Sequence, residues 1–247
     1  MPRLPILVAL LLALAGTPPS HGQSTSRAAR PDLAEANRQI VDETNRFRAS
    51  HGAGPTASNP MLAEAARRFA AYMASTDRYG HDADGSQPPQ RAKAQGYAHC
   101  LLSENIAYAF HSSGFRTADL SRRIVAGWKE SPRHRQNMLD ADVTETGVAV
   151  VQSPKSGRYY AVQMFGRPQS QRIEFRIANR STTPLRYELG GEWYALPPKV
   201  TRTHEQCRAE TLSMRLPGED KPTTIQPAAG ERYAVERVGA RLRLSKG

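Results

Sequence analysis

Histidine side chains are the first sign of chemistry in this chain, and His134 is the most informative of the seven. It follows Ser131 and Pro132, and serine at a cap position before proline at the first helical position predicts that a helix begins there. The dipole of that helix disfavours imidazolium in its first turn, so we expect a neutral ring. A neutral imidazole can bind a divalent cation, which makes His134 a candidate metal ligand.

The common catalytic motifs are missing from the sequence. There is no G-x-S-x-G elbow, no H-E-x-x-H helix, no C-x-x-C pair and no phosphate-binding loop. His204-Glu205 lacks the second histidine that a zinc-peptidase helix needs. These absences exclude the familiar enzyme classes, so no catalytic residue is assigned.

Six short stretches carry most of the remaining polar motifs. In chain order they are Tyr79-Gly80-His81, Arg91 with Gly96-Tyr97, Ser103 to Ala107, Trp128 to Leu139, Thr144 to Val148, and Val162 to Gly166. Their order and spacing resemble the CAP superfamily, also called SCP-like, which includes the cysteine-rich secretory, venom-antigen and plant pathogenesis-related proteins. The resemblance is to the bacterial form and covers residues 31–167.

The resemblance implies an α-β-α sandwich whose central cleft carries two histidines and two acidic residues, and these bind a divalent metal in several members. Matched motif by motif, the four are His81, Glu104, His134 and Glu145. Imidazoles with oxygen ligands suit Zn²⁺, with Mg²⁺ or Ca²⁺ as alternatives. In eukaryotic relatives a glutamate follows the tryptophan by three residues. Ser131 stands there in this chain, so Glu145 is the candidate for the fourth corner.

Structural roles compete with metal binding at the two carboxylates. Glu104 is an alternative candidate for a buried acceptor of backbone N–H groups, and Glu145 for a partner of Arg133 or Arg135. Trp128 is expected in the core, and Arg91 is expected to be a structural anchor.

The elements that position these residues follow from periodicity and turn signals. Residues 31–52 and 59–76 show helical stripes, with Asn59 as cap and Pro60 at the first position, and a short helix is predicted over 89–95. The apolar segment 100–110 predicts an inner strand or an extended stretch. Helices are expected from Thr117 and from Pro132, and residues 147–152 and 159–165 predict a hairpin.

After Pro168 the pattern changes to short alternating strands separated by turn signals. Predicted strands cover 173–177, 185–189, 193–196 and 233–244. The fold class is therefore α+β, a CAP-type α-β-α sandwich at 31–167 followed by a small all-β, sandwich-like domain at 170–247.

The N-terminus predicts export. Arg3, the apolar run from Leu4 to Ala15 and the triplet Ala13-Leu14-Ala15 are typical of a signal peptide at 1–15, whose end lies as late as residue 22 in an alternative interpretation. The run is shorter than the roughly 20 residues of a membrane-spanning helix, so no transmembrane anchor is expected. Residues 16–30 are predicted to be a flexible leader. In an oxidising compartment Cys100 and Cys207 are candidates for a disulfide between the two domains.

Composition limits the partners. The 247 residues carry a formal charge of +11, and the basic residues are spread along the chain. This distribution argues against a specific nucleic acid site and favours anionic surfaces in general. The family resemblance implies a binding protein with a metal in its cleft, whose ligand is a small apolar molecule, such as a lipid or sterol, and the charge makes an anionic component of an envelope or host surface the alternative. With the N-terminal signal, we expect this protein to be secreted (periplasmic or extracellular if bacterial).

Two other functions stay open at this point. One is a metal-dependent extracellular hydrolase of peptidase or esterase type, in which Glu104 or Glu145 takes a proton from bound water. The other is a cell-envelope adhesion or scaffolding protein in which the four residues are only structural.

Overall fold

The first two helices begin after residues whose side chains cap them. The computed structural model describes residues 30–247. The Asp32 carboxylate accepts the Glu35 N–H at the start of the first helix, and the Asn59 side chain accepts the N–H groups of Met61 and Leu62 before the second. The α-helices are α1 (Leu33–Ala49), α2 (Pro60–Thr76), α3 (Pro88–Ala94), α4 (Thr117–Glu130) and α5 (Pro132–Leu139).

A four-stranded sheet separates these helices into two layers. Its strands are β1 (Ala57–Ser58), β2 (His99–Ala109), β3 (Glu145–Gln152) and β4 (Tyr159–Pro168), in the order β1-β3-β4-β2. β1 is parallel to β3, and the other pairs are antiparallel. One face of the sheet packs on α2 and α3, and the opposite face packs on α1, α4 and α5. The result is an α-β-α sandwich.

The C-terminal region (residues 173–246) is a β-sandwich. Its strands are β5 (Ile173–Asn179), β6 (Leu185–Leu189), β7 (Glu192–Leu196), β8 (Thr201–Gln206), β9 (Leu212–Met214), β10 (Thr223–Ile225), β11 (Arg232–Val238) and β12 (Arg241–Lys246). They form two sheets, ordered β10-β9-β6-β7 and β12-β11-β5-β8, around their own apolar cluster. The α+β fold class is confirmed.

A disulfide and a group of hydrogen bonds to Asp140 and Asp142 join the C-terminal region to the α-β-α sandwich. Cys100, at the start of β2, forms a disulfide with Cys207, as predicted. The next residue, Arg208, binds both oxygens of Asp140 at 2.9 and 2.7 Å and one oxygen of Asp142 at 3.1 Å. Asp140 follows the last residue of α5. One short segment therefore contacts both the strand that carries Glu104 and the end of the helix that carries His134.

Two expectations about strands need correction. Segment 100–110 is a strand but lies at the edge of the sheet, because β4 alone pairs with it among the described strands. The predicted strand 233–244 is a hairpin, β11 and β12, with Gly239 at positive φ in its turn. An apolar run does not distinguish an edge strand covered by helices from a central strand, and here α3, α4 and α5 cover β2.

The predicted signal peptide and all of the predicted leader except Arg30 lie outside the described residues. Within residues 30–247, no helix is both long and apolar enough to cross a membrane.

Candidate functional site

Three of the four candidate residues come together at the outer edge of β2. Glu104 lies near the middle of that strand, His81 lies in the turn after α2, and His134 is the third residue of α5. The ring centroids of His81 and His134 are 6.5 Å apart. Asn105 and Asn137 connect strand and helix, since Asn105 Nδ2 donates to the His134 carbonyl at 3.1 Å and Asn137 Nδ2 donates to the Glu104 carbonyl at 3.2 Å.

Glu104 orients the His81 ring. Its Oε1 lies 2.8 Å from His81 Nδ1, and its side chain is 1% exposed, whereas the His81 side chain is 48% exposed. A carboxylate that accepts the Nδ1 proton holds the neutral ring in the tautomer with Nε2 unprotonated. Nε2 is then the nitrogen available to a cation or ligand.

Arg91 supplies the positive charge that a buried carboxylate requires. Its Nη2 contacts Glu104 Oε1 and Oε2 at 3.0 and 2.9 Å and also donates to the His81 carbonyl at 2.9 Å. Its Nη1 donates to Asp84 Oδ1 at 3.0 Å and to the Ser86 carbonyl at 2.8 Å. The guanidinium carbon lies 3.6 Å from the centroid of the Phe69 ring. Arg91 is thus a structural anchor, as expected, and it fixes both Glu104 and the backbone of His81.

His134 is partly buried and faces another imidazole. Burial, followed by the proximity of His81, lowers the pKa of His134 below its ordinary value. Both causes act in the same direction as the helix dipole. A lowered pKa favours the neutral ring, the protonation state in which imidazole binds metals.

Glu145 belongs to a different cluster. Its Oε2 accepts the Tyr97 hydroxyl at 2.7 Å and the Asn59 side-chain amide at 3.1 Å. Burial, with the Glu145 carboxylate as the next cause, raises the pKa of Tyr97. A Cβ on Gly166 would lie 2.5 Å from the Tyr97 hydroxyl oxygen, so glycine is what allows this ring to cross the sheet. The alternative partners Arg133 and Arg135 are not the ones the structure shows for Glu145.

The donor set that remains is two imidazoles with one orienting carboxylate. Both oxygens of Glu104 are occupied by Arg91, and one also by His81. Among residues 30–247, no three His, Cys, Asp or Glu side chains are grouped closely enough to hold a metal ion. The structure therefore brings His81, His134 and Glu104 together but does not present the four-residue set that the family resemblance implied.

Asp84 and Tyr97 were missed as parts of these clusters. Asp84 follows His81 by three residues in a Gly- and Asp-rich turn, and only its contact with Arg91 reveals its role. Tyr97 belongs to the Gly96-Tyr97 stretch, but its hydroxyl reaches Glu145 across 48 residues of chain. A single sequence does not show which distant residues meet, although the two motifs that contain Tyr97 and Glu145 were both identified.

The fold and the site define an α-β-α domain with two facing histidines at one edge of its sheet. Residues 41–165, half of the chain, match the CAP family model, described as the cysteine-rich secretory protein family. The chain belongs to this family. The C-terminal region lies outside the matched residues.

Several similar proteins are bacterial. The uncharacterized protein YkwD of Bacillus subtilis (strain 168) is 26% identical over 145 residues, which are 58% of this chain and 52% of YkwD. The chain thus spans about half the length of that relative. An extracellular protein containing a SCP domain from Bacillus anthracis is 25% identical with a TM-score of 0.46, over 55% of this chain and 41% of that one. An outer surface protein of Borrelia burgdorferi is 19% identical with a TM-score of 0.48, over 57% of this chain and 99% of that one.

Proposed function

We propose that the chain is a secreted binding protein that holds a divalent cation, Zn²⁺ by preference, between His81 and His134. The observation that carries the proposal is the facing pair of imidazoles, 6.5 Å between centroids, with the His81 ring oriented by Glu104. A bound cation would supply a Lewis-acidic centre with open positions for a polar or anionic ligand group.

The chemistry of the free donors favours zinc over the harder cations. Mg²⁺ and Ca²⁺ take several oxygen ligands, but the Glu104 carboxylate beside the two histidines is already hydrogen-bonded at both oxygens by Arg91 and at one by His81. Imidazole nitrogen suits Zn²⁺. Glu104 then acts through His81, as a carboxylate that fixes the ring, and does not bind the cation itself.

An aromatic surface next to the histidines supports a role in binding. It consists of Tyr79 and Tyr108, which are 47% and 52% exposed and whose ring centroids are 5.2 Å apart. The Tyr79 hydroxyl donates to the Ile106 carbonyl at 3.2 Å, two residues along β2 from Glu104. Exposed rings that adjoin a polar site are typical of ligand recognition. This surface fits the small apolar ligand or surface component expected from the sequence.

The hydrolase alternative lacks a free base. Glu104 is bound by Arg91 and His81, and Glu145 is bound by Tyr97 and Asn59, so each carboxylate proposed to take a proton from water is already engaged. General base catalysis requires a carboxylate within hydrogen-bond reach of the water it activates. We therefore favour binding over hydrolysis.

Secretion is supported by two independent features. The N-terminal sequence has the charged start, apolar run and small-residue triplet of a signal peptide. The Cys100–Cys207 disulfide is typical of proteins in oxidising compartments. Both features favour a chain that acts outside the cytoplasm.

Calorimetric titration with Zn²⁺ tests the metal site. His81→Ala and His134→Ala are each expected to abolish most of the affinity, and Glu104→Gln to weaken it by about 10- to 100-fold. Glu145→Gln is expected to leave it unchanged, because that carboxylate binds Tyr97. His111→Ala is the matched control, since His111 is exposed and its Nδ1 only accepts the Ser113 N–H.

Two results would contradict the proposal. One is the absence of a saturable zinc site in the unmodified chain, which would favour the scaffolding alternative. The other is zinc affinity that survives His134→Ala but is lost in His111→Ala. A peptidase and esterase screen of the zinc-loaded chain then separates binding from hydrolysis.

A further inference from the structure

A second candidate site lies in the C-terminal region, outside the residues that match the family. A cavity of about 370 Å³ opens on the outer face of the sheet β10-β9-β6-β7, where β6 begins and β9 ends. Its lining combines an indole, two guanidinium groups and two proline rings: Trp193, Arg186, Arg215, Pro184 and Pro217.

Trp193 is exposed to an unusual degree for tryptophan. It is 59% exposed, whereas the other tryptophan, Trp128, is 1% exposed in the core. Exposed aromatic surface costs free energy in water, and tryptophan on a protein surface is enriched at binding sites. The Arg186 guanidinium carbon lies 5.5 Å from the Trp193 ring centroid. The indole and the cation therefore form one surface that a ligand would contact together.

Arg186 and Arg215 bring two like charges into one cavity. β6 and β9 pair Glu188 with Ser213, and the same register continued by two residues places Arg215 opposite Arg186. Like charges directly opposite each other across two strands are destabilising. In the part of the chain that the structure describes, the ion pairs of this region involve other basic residues, and neither Arg186 nor Arg215 has a carboxylate within ion-pair distance. An anion between the two guanidinium groups would relieve their repulsion.

Acidic residues at the edge of the cavity limit what kind of anion fits. Glu219 lines it, and Glu188 is the cross-strand partner of Trp193. A polyanion without hydroxyl donors, such as a single-stranded nucleic acid, would place phosphates against these carboxylates. A sugar has hydroxyl groups that donate to carboxylates and a C–H face that packs on an indole. A sugar that also carries a carboxylate satisfies every group of the cavity at once.

We propose that this cavity binds an acidic glycan. A sugar carboxylate lies between Arg186 and Arg215, the sugar ring packs on Trp193, and its hydroxyls donate to Glu188 and Glu219. The excess of 14 Lys and Arg over 9 Asp and Glu in residues 170–247 attracts such a chain at longer range. The site does not depend on the histidine pair, so either site stands if the other fails.

Hyaluronan octasaccharide, in which every second sugar is carboxylated, is the probe for this site. Calorimetry gives its affinity for the complete chain, and acrylamide quenching reports on Trp193 because Trp128 is buried. Bound glycan is expected to protect Trp193 from acrylamide. Trp193→Ala, Arg186→Gln and Arg215→Gln are each expected to weaken binding by about tenfold or more, the effect of one lost charge-assisted or aromatic contact.

Matched controls separate this site from general attraction to a basic protein. Phe110→Ala removes an equally exposed ring from the other region, and Arg241→Gln removes an exposed arginine from the opposite sheet. Both are expected to bind the octasaccharide like the unmodified chain. Because all five side chains lie at the surface or line an open cavity, the variants should keep the parent thermal midpoint, which circular dichroism checks.

Each contrary result overturns the proposal. The glycan proposal is wrong if the unmodified chain does not bind the octasaccharide at millimolar concentration. It is also wrong if Trp193→Ala binds the octasaccharide with unchanged affinity. Equal affinity for neutral N-acetylchitohexaose would show that the anion is not recognised. If a twelve-nucleotide oligothymidylate binds more tightly than the octasaccharide, and this binding is lost in the same three variants, the ligand is single-stranded nucleic acid and not a glycan.

Discussion

The two regions of the molecule are stabilised in different ways. The α-β-α sandwich buries three charged side chains, Arg48, Arg91 and Glu104, and gives each of them specific partners, although Arg91 Nε has no hydrogen-bond partner. The C-terminal β-sandwich surrounds one apolar cluster, and its buried polar residues in the described chain are the uncharged Asn179, Ser181 and Gln206.

This difference separates positioning from packing. A buried ion pair is weak as a source of stability but demands an accurate geometry, because an unpaired buried charge is strongly unfavourable. The α-β-α sandwich uses such pairs to fix the turn that carries His81 and the strand that carries Glu104. The C-terminal region relies on apolar packing and, on the glycan proposal, keeps its functional charges at the surface.

Removing the disulfide between the regions is expected to have the largest effect on stability, and it tests whether the two regions unfold independently. Cys100→Ser/Cys207→Ser opens a covalent link across 107 residues and is expected to lower the free energy of unfolding by about 4–5 kcal/mol on the chain-entropy account. We expect urea unfolding, followed by tryptophan fluorescence, to separate into two transitions, since Trp128 and Trp193 report on different regions. Dithiothreitol should produce the same change in the unmodified chain and none in the variant. One transition at an unchanged midpoint would mean that the regions unfold as a single unit without the link.

Substitution of Arg91 tests whether loss of a buried charge in the α-β-α sandwich lowers the free energy of unfolding more than loss of a surface charge in the C-terminal region does. Arg91→Met leaves Glu104 buried without a cation and is expected to cost about 3–4 kcal/mol. Adding Glu104→Gln should recover part of the loss, because it removes the unpaired charge. Arg176→Met, which breaks an exposed pair with Glu174, should change stability by less than about 0.5 kcal/mol. Urea unfolding of the four proteins measures the contrast, and similar losses at Arg91 and Arg176 would contradict it.

Gly147 tests how closely the layers of the sandwich approach each other. A Cβ at this position would lie 2.1 Å from the Ala63 backbone nitrogen, so α2 and β3 must separate to admit it. We expect Gly147→Ala to cost about 3 kcal/mol, the upper part of the usual range for overpacking. Hydrogen exchange should show lost protection in α2 and β3 while β5 to β12 stay protected. Gly54→Ala is the control, because its Cβ would meet no atom within 4 Å.

The sequence predicted elements better than contacts. Asn59 with Pro60 and Ser131 with Pro132 correctly place the start of two helices, because start signals act over a few neighbouring residues. The Asn59 side chain caps its helix as predicted, whereas the Ser131 side chain makes no capping hydrogen bond. The Glu-x-Gly motif at 145–147 was identified too, but its glutamate was expected in the cleft. In the structure Glu145 accepts the Tyr97 hydroxyl, and Gly147 packs against α2. Such pairings depend on how distant segments pack, and a single sequence contains no direct signal for them.

The exposed contact between the regions, Arg208 with Asp140 and Asp142, should have the smallest effect and a defined pH dependence. Burial is the largest influence on Asp140 and opposes its ionisation, but the hydrogen bonds from Arg208 and the Asp142 N–H, together with the charges of Arg208 and Arg48, outweigh it. The pKa of Asp140 in the folded protein therefore lies below the ordinary value. A carboxyl whose pKa falls on folding contributes stability above its unfolded pKa and loses it as the pH falls through the folded value. Arg208→Gln is therefore expected to cost about 1 kcal/mol at pH 7, because half of the arginine side chain is exposed to solvent. The deficit should be the same at pH 5 and shrink below about pH 4, the ordinary pKa of aspartate.

Urea unfolding of both proteins at pH 7, 5 and 2.5, with the disulfide intact, measures this deficit. A deficit that persists at pH 2.5, or that changes between pH 5 and 7, would show that Arg208 acts through something other than these carboxylates.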